Sequence, residues 1–208
     1  MRFFQNKDYS VDKLHKEQLD PNPIAELRKW LRKANRQKIK EYNAMVLSTS
    51  DCSTSINSRV VLLKEVTEQG LVFFTNYKSR KAQEIEKNNH VSVTFFWAQM
   101  EKQIRIQGIA TKLDPNYNKE YFKSRNYKSQ ITSVISPQSS EIESRNILVQ
   151  HFKELLTRNQ PLECPSDWGG YIIEPTQFEF WQGRKHRLND RLEYFLDNGE
   201  WKIRRLAP

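Results

Sequence analysis

Long apolar runs are missing from this sequence. No window approaches the roughly 18–20 uninterrupted apolar residues that a membrane span needs, so no membrane partner is expected. The opening MRFFQNKDYS lacks the apolar stretch of a secretory signal. Cysteine is scarce: Cys52 and Cys164 are the only two, and they form neither a metal-ligand spacing nor a disulfide framework. A reduced, cytoplasmic protein is the expectation. Catalytic signatures are absent as well. There is no G-x-x-x-x-G-K-[ST], no G-x-G-x-x-G and no G-x-S-x-G. His15, His90, His151 and His186 make no metal-like pair at helical spacing. Hydrolytic and metal-dependent chemistry therefore lack residues.

Nothing divides the chain: it has no internal repeat, no low-complexity tract and no linker. Its 208 residues, 37% hydrophobic, suffice for one substantial core. We expect residues 1–20 to form a polar arm and residues 21–208 a single domain. The formal net charge is +9, which attracts anions. Nucleic-acid binders often gather basic residues into runs or onto one helix face. Here they are dispersed among Ser, Gln and Tyr, which favours small phosphorylated molecules over nucleic acid.

Periodicity divides the chain into short elements. Ile24, Leu27, Leu31 and Ala34 recur at helical spacing after Pro23 and predict a helix over 23–41. Runs rich in β-branched and aromatic residues predict strands at 43–50, 58–66, 71–76, 90–98, 102–113 and 169–182. Asn198-Gly199 between apolar runs predicts a hairpin over 191–206. Ser79 as N-cap opens a helix over 79–88, and Pro115 opens another to 125. Ser140 with Glu143 resembles a capping box leading a helix to about 158. Ser129 falls in a loop in this reading. Closely spaced strands with a few helices imply a mainly β, α+β protein, built on a barrel-like sheet that closes its own edges.

Three segments suit phosphate. In RVVLLK, alternation puts Arg59, Val61 and Leu63 on one face and Val60, Leu62 and Lys64 on the other. An edge strand with charged ends explains that equally well. In TNYKSRKA, Arg80 and Lys81 occupy the first turn of a helix, where cations oppose the macrodipole. A phosphate seated on the free N–H groups would reverse that penalty; a solvated first turn is the alternative. In YFKSRNYKSQ, Tyr121 and Arg125 lie four apart, on one helix face, with Ser129 following. By itself that segment describes a surface helix as well as a site. The SPQSS that follows precedes a further helix. Several phosphate-suited places imply one long polyanion or two phosphorylated compounds.

Taken in order, RVVLLK, FFTNYKSRKA, EKQIRIQG, YFKSR…SQ, SPQSS, WGGY, EFWQGR…RLNDR and RRLAP resemble the FMN-dependent pyridoxine/pyridoxamine 5′-phosphate oxidases, from about residue 20 to 208. The resemblance implies an FMN-binding split β-barrel with Greek-key-like connections. It also implies a homodimer with FMN at the subunit interface. Matching motif positions imply FMN contacts from Arg59, Val60, Val61, Leu62, Leu63, Lys64, Phe74, Thr75, Arg80, Lys81, Gln103, Gln138, Ser139, Trp181 and Arg191. Arg80 and Lys81 would serve the FMN phosphate. The substrate phosphate would be held by Lys64, Tyr121, Arg125 and Ser129. Arg187 would lie against the pyridine ring, away from the flavin, and Asn189 stands where the family usually has a substrate-contacting histidine. Phe74 replaces a frequent tyrosine. Tyr9 corresponds to a tyrosine that covers the substrate in the family, and no arginine there is secure.

The implied reaction oxidises C4′ of pyridoxamine or pyridoxine 5′-phosphate to pyridoxal 5′-phosphate, with dioxygen reduced to hydrogen peroxide. The two other readings are a related split-barrel flavoprotein with a different substrate, and a non-catalytic binder of FMN or pyridoxal phosphate.

Overall fold

Alternating burial decides which way each strand faces. The computed structural model describes Tyr9, residues 12–52 and residues 55–208; the rest of MRFFQNKDYS and residues 53–54 of the DCSTS turn lie outside them. The chain runs through helix α1 (Pro23–Arg36), strands β1 (Ala44–Ser50), β2 (Ile56–Leu62), β3 (Glu65–Val66) and β4 (Leu71–Asn76), and helix α2 (Arg80–Lys87). Strands β5 (His90–Trp97) and β6 (Lys102–Lys112) follow, then helices α3 (Pro115–Ser124), α4 (Tyr127–Ile135) and α5 (Arg145–Arg158). Strands β7 (Trp168–Gln182), β8 (Asp190–Asp197) and β9 (Glu200–Leu206) complete the described chain.

All nine strands join one antiparallel sheet in the order β2-β1-β5-β6-β7-β4-β3, with β8 on β7 and β9 on β8. At 15 residues, β7 is long enough to pair β4 through its first half and β8 through its second, while β6 runs along it. The register slips between Gln107 and Gly108. A Cβ at Gly108 would come within 2.4 Å of the Glu174 carbonyl oxygen, so only glycine fits this bulge. The sheet curls until its two ends approach: just beyond β2, the Lys64 N–H donates to the Val72 carbonyl of β4 at 2.8 Å. No strand ladder joins β2 to β4. The barrel is therefore split, as the resemblance implied.

The inner face is apolar. Met45, Leu47, Phe73, Phe95, Ile104, Phe178, Phe180 and Tyr194 are buried across six strands, and α1 lays Leu27, Trp30, Leu31 and Ala34 on them. Trp30 meets Phe180 edge to face at 5.0 Å. In the described part of the arm, Leu14 and Leu19 join this core. Between β8 and β9, Asn198 (φ 52°) and Gly199 (φ 84°) make the left-handed pair that a two-residue hairpin needs.

Four boundaries differ from expectation. Helix α1 stops at Arg36, not 41. Lys38 turns left-handed (φ 55°), and the Ile39 and Lys38 N–H groups bond back to the Ala34 and Asn35 carbonyls. This is a Schellman stop with lysine in the place usually held by glycine, so the sequence carries no glycine to announce it. The run 58–66 is two strands, because the chain leaves the sheet at Leu63 and Lys64 to cross the split. Ser129 is helical, in the first turn of α4, with its N–H capped by Asn126 Oδ1 at 2.9 Å. Finally, α5 starts at Arg145, and the Ser140–Glu143 box forms no helix.

One defect in the core is measurable. The Tyr171 hydroxyl is buried with no hydrogen-bond partner among the described residues, and burial pushes its pKa well up. Its ring stacks on Phe73 at 5.5 Å, so the packing belongs to the ring alone. Tyr171→Phe is expected to leave the fold intact and stabilise it by about 1 kcal/mol. A thermal or urea melt reads this, and a destabilised variant would contradict it.

Candidate functional site

The split between β2 and β4 is where charge collects. Two adjoining cavities open there, of about 590 and 560 Å³. The first is lined by Arg59 to Leu62 of β2, by Lys64, Phe74 and Thr75, by Arg80 and Lys81 of α2, and by Gln138 and Ser139. The second is lined by Tyr121, Arg125, Ser129, Ser133 and Trp168 among others. Lys64, Phe74, Thr75, Arg125 and Gln138 belong to both. Arg59, Lys64, Arg80, Lys81 and Arg125 thus converge on one cleft, and among the described residues no carboxylate lines either cavity.

Lys81 is the most constrained of these cations. Its ammonium is buried and donates to Thr75 Oγ1 at 3.1 Å, Ser79 Oγ at 3.3 Å and Gln138 Oε1 at 3.1 Å. These are neutral acceptors, and among the described residues it forms no ion pair. Burial, together with the nearby Arg59 charge, lowers its pKa to about 8 against a smaller opposing pull from Glu84. Ser79 is the N-cap of α2, but its side chain makes no cap bond to the backbone. The first turn of α2 holds no acid. Such a helix start is built for an anion. A phosphate fits this donor set: it would supply the charge that buried Lys81 lacks.

The second cavity has another character. Phe74 stacks on Tyr121 at 3.8 Å between centroids and on Trp168 at 5.2 Å. The Arg125 guanidinium lies over the Trp168 ring at 4.8 Å. Burial lowers the Arg125 pKa and raises that of Tyr121, with Arg125 opposing the latter shift. Arg125 caps the C-terminus of α3 and donates to Ser133 Oγ at 2.5 Å. Ser133, Asn126 and Thr132 line this cavity too, and our reading of the sequence passed over them. A usable signal existed: Ser129 and Ser133 are four apart and share a face once 127–135 is helical.

The remaining candidates stand apart from this cleft within one chain. Gln103, Trp181 and Arg191 line neither cavity, but cross-strand register puts them in one row over β6, β7 and β8. Arg191 clamps Glu179 through Nε at 2.9 Å and a second nitrogen at 3.0 Å, and these bonds raise its pKa. The Asn189 Oδ1 accepts the Arg184 N–H at 3.0 Å. Arg187 follows His186 in a turn where both hold left-handed backbone (φ 61° and 57°). Ser139 is left-handed too (φ 74°). Such conformations cost non-glycine residues roughly 1–2 kcal/mol each and gather at functional sites. Tyr9 packs edge-on against Trp181 at 5.7 Å. Leu63 faces the core.

Comparison with known proteins then bears on this arrangement. A family model described as "Pyridoxamine 5'-phosphate oxidase" matches residues 31–159. A second, described as "Pyridoxine 5'-phosphate oxidase C-terminal dimerisation region", matches residues 168–208. The pyridoxine/pyridoxamine 5′-phosphate oxidase of Crocosphaera subtropica is 45% identical over 207 residues, 97% of this chain and 97% of its own. Among solved structures, PhzG from Burkholderia lata in complex with tetrahydrophenazine-1-carboxylic acid has a TM-score of 0.91 at 32% identity, covering 96% of this chain and 100% of that one. A pyridoxamine 5′-phosphate oxidase-related, FMN-binding protein from Nostoc punctiforme has a TM-score of 0.72 at 17% identity, covering 92% and 99%, and shares the fold.

The lowered pKa of Lys81 gives a signed expectation. A bound phosphate dianion favours the charged amine and pulls its pKa up from about 8. At pH 9, binding of a phosphate monoester dianion at this seat should therefore take up a proton through Lys81, and affinity should fall as pH rises above 8. Calorimetry at pH 9 in buffers of different ionisation enthalpy measures the uptake. Lys81→Met should abolish it; equal uptake in the variant would refute the assignment.

Proposed function

The chain belongs to the pyridoxine/pyridoxamine 5′-phosphate oxidase family, and from that premise we propose that it oxidises pyridoxamine and pyridoxine 5′-phosphates to pyridoxal 5′-phosphate with FMN as cofactor. The observation that carries the reading is the cleft itself, with five cations, no lining carboxylate among the described residues and an aromatic stack in its second cavity. Two phosphorylated ring compounds are the ligands that such a cleft suits.

Arg80, Lys81 and the free N–H groups of α2 bind the cofactor phosphate, and Thr75, Gln138 and Ser139 complete that seat. Val60 to Leu62 of β2 and Lys64 wall the flavin, and Arg59 joins Arg80 and Lys81 at the phosphate. Lys64, Tyr121, Arg125 and Ser129 bind the substrate phosphate, and Ser133 holds Arg125 in place. FMN, when bound, supplies the two-electron acceptor for C4′ and passes the electrons to dioxygen. The amine reaction balances as amine plus dioxygen plus water giving aldehyde, ammonia and hydrogen peroxide. Protein groups orient the rings and surround them with positive charge. Asn189 can donate or accept a hydrogen bond but cannot titrate near neutral pH. Its role is orientation, not proton transfer.

The protein acts as a homodimer in this reading, and the second copy completes the site. Val46, Val60, Leu62 and Phe96 are exposed on the outer face of β1, β2 and β5. Val60 and Leu62 also wall the first cavity. A second copy covering that face would bring the partner subunit's Gln103, Trp181 and Arg191 row, with its Arg187 and Asn189, to the cleft. The described part of the arm packs Leu14 and Leu19 on the 21–208 domain, and Tyr9 against Trp181 belongs to the ring wall. Among the described residues no helix is long and apolar enough to cross a membrane, and the reaction suits the cytoplasm.

Mixing the FMN-loaded protein with pyridoxamine 5′-phosphate without oxygen is expected to bleach the flavin, and admitting oxygen should restore the colour with release of peroxide. An unchanged spectrum would reject the reading. Arg125→Met is expected to raise the KM for the phosphorylated substrate by at least tenfold with a smaller effect on kcat, since a charge-assisted contact contributes about 1.5–3 kcal/mol. A second reading has its own support in Asn189 and in the likeness to PhzG, crystallised with a carboxylic acid that carries a different ring system. Peroxide formed from another reductant while both B6 phosphates fail would favour it.

A further inference from the structure

Behind the first cavity, and outside its lining, sits a buried acid that the reading above does not use. Glu84, on α2, is 5% exposed. Four donors converge on its carboxylate. Oε2 accepts from the Thr49 hydroxyl at 2.5 Å and from Arg59 at 3.1 Å. Oε1 accepts from the Asn57 amide at 2.7 Å and from Arg80 Nε at 3.0 Å. Thr49 and Asn57 face each other across β1 and β2, and Arg59 lies one row along, opposite Leu47. One side chain from α2 therefore fastens the helix to the hairpin and holds two of the three arginines that line the first cavity, Arg59 and Arg80.

A carboxylate suits this place for a chemical reason. Every group around it presents a hydrogen, so the acceptor must offer lone pairs in all four directions and no hydrogen of its own. Burial pushes the Glu84 pKa up, but the bonds from Thr49, Arg80 and Arg59 outweigh it and hold the acid ionised. The dependence is greatest for Arg80. Its side chain is 64% exposed, and Glu84 is its only ion-pair partner among the described residues. A long exposed guanidinium without such a tether spreads over solvent rotamers. Arg59 keeps two other acceptors, the Leu47 carbonyl and Thr49 Oγ1.

We propose that Glu84 is a positioning residue for cofactor retention: it sets Arg59 and Arg80 in the orientation that grips the FMN phosphate, without touching the cofactor. This rests on the FMN reading of the cleft. It predicts a phosphate-specific defect, because the tethered arginines serve the phosphate and not the ring.

The test compares FMN with riboflavin, which has the same ring and no phosphate, by flavin fluorescence titration of the cofactor-free full chain. The parent is expected to bind FMN much more tightly than riboflavin; equal affinity would overturn the FMN reading itself. Given that preference, Glu84→Ala is expected to weaken FMN at least tenfold and riboflavin less than twofold. Glu84→Gln keeps one acceptor oxygen and turns an amide NH2 toward two of the donors. It should fall between parent and Ala variant, and it serves as the test on its own should the Ala variant not fold. An unchanged ratio of the two affinities in the folded variants would overturn the assignment. So would tighter FMN binding, which would make Glu84 a repulsive charge and not a tether.

Discussion

Five cations around one cleft are an electrostatic debt that the fold does not settle from within. Like charges at such spacing repel, and burial strips Lys81 of the water that would otherwise screen it. The protein answers in two ways. Behind the wall, the Glu84 carboxylate pairs with both Arg59 and Arg80 and offsets one of their two charges. In front, nothing anionic among the described residues lines the cavity. The unbalanced face is the one open to a ligand, and burial together with the nearby Arg59 charge lowers the pKa of Lys81 there. A phosphate dianion there would offset part of the remaining positive charge and fill the free N–H groups of α2 together.

The same logic separates the two anion seats. At α2 the donors are rigid: a helix terminus, a buried amine, and arginines fixed by a common carboxylate. At the second cavity the donors sit on the α3–α4 junction, and Arg125 is held by a hydroxyl and an aromatic face instead of an acid. A tethered seat suits a resident group, and a softer one suits a molecule that must leave at each turnover. The Phe74, Tyr121 and Trp168 stack lines the second cavity, with Phe74 reaching the first, and gives the cleft an apolar surface suited to ring compounds.

The curled sheet has to be split for this to work. A closed barrel would have paired β2 with β4 and filled the space that the two cavities occupy. The chain instead leaves the sheet at Leu63 and Lys64, pins the gap with the Lys64–Val72 bond, and leaves Val60 and Leu62 facing outward. Those outward apolar residues are the cost of an open cleft, and they are also what a second copy of the chain would cover.

Much of this was readable from residue order. The strand runs, the Asn198-Gly199 hairpin and the Arg80-Lys81 helix start depend on local preference, because backbone dihedrals and cross-turn contacts are set within a few residues. The α1 stop at Lys38 and the α4 helix around Ser129 were not, since a lysine in left-handed backbone and a capping asparagine leave only weak marks in a single sequence. Ser133 became visible only once α4 existed. Which cations would meet came from the resemblance and not from local pattern: Arg59, Arg80 and Arg125 come from three separate segments, and the curl of the sheet brings them to one cleft. Glu84 is the clearest case. In the sequence it is one acid among 25, and its four donors lie on β1, β2 and α2. Local chemistry is written in the order of residues, whereas charge complementarity is a property of distance in space, which folding alone sets.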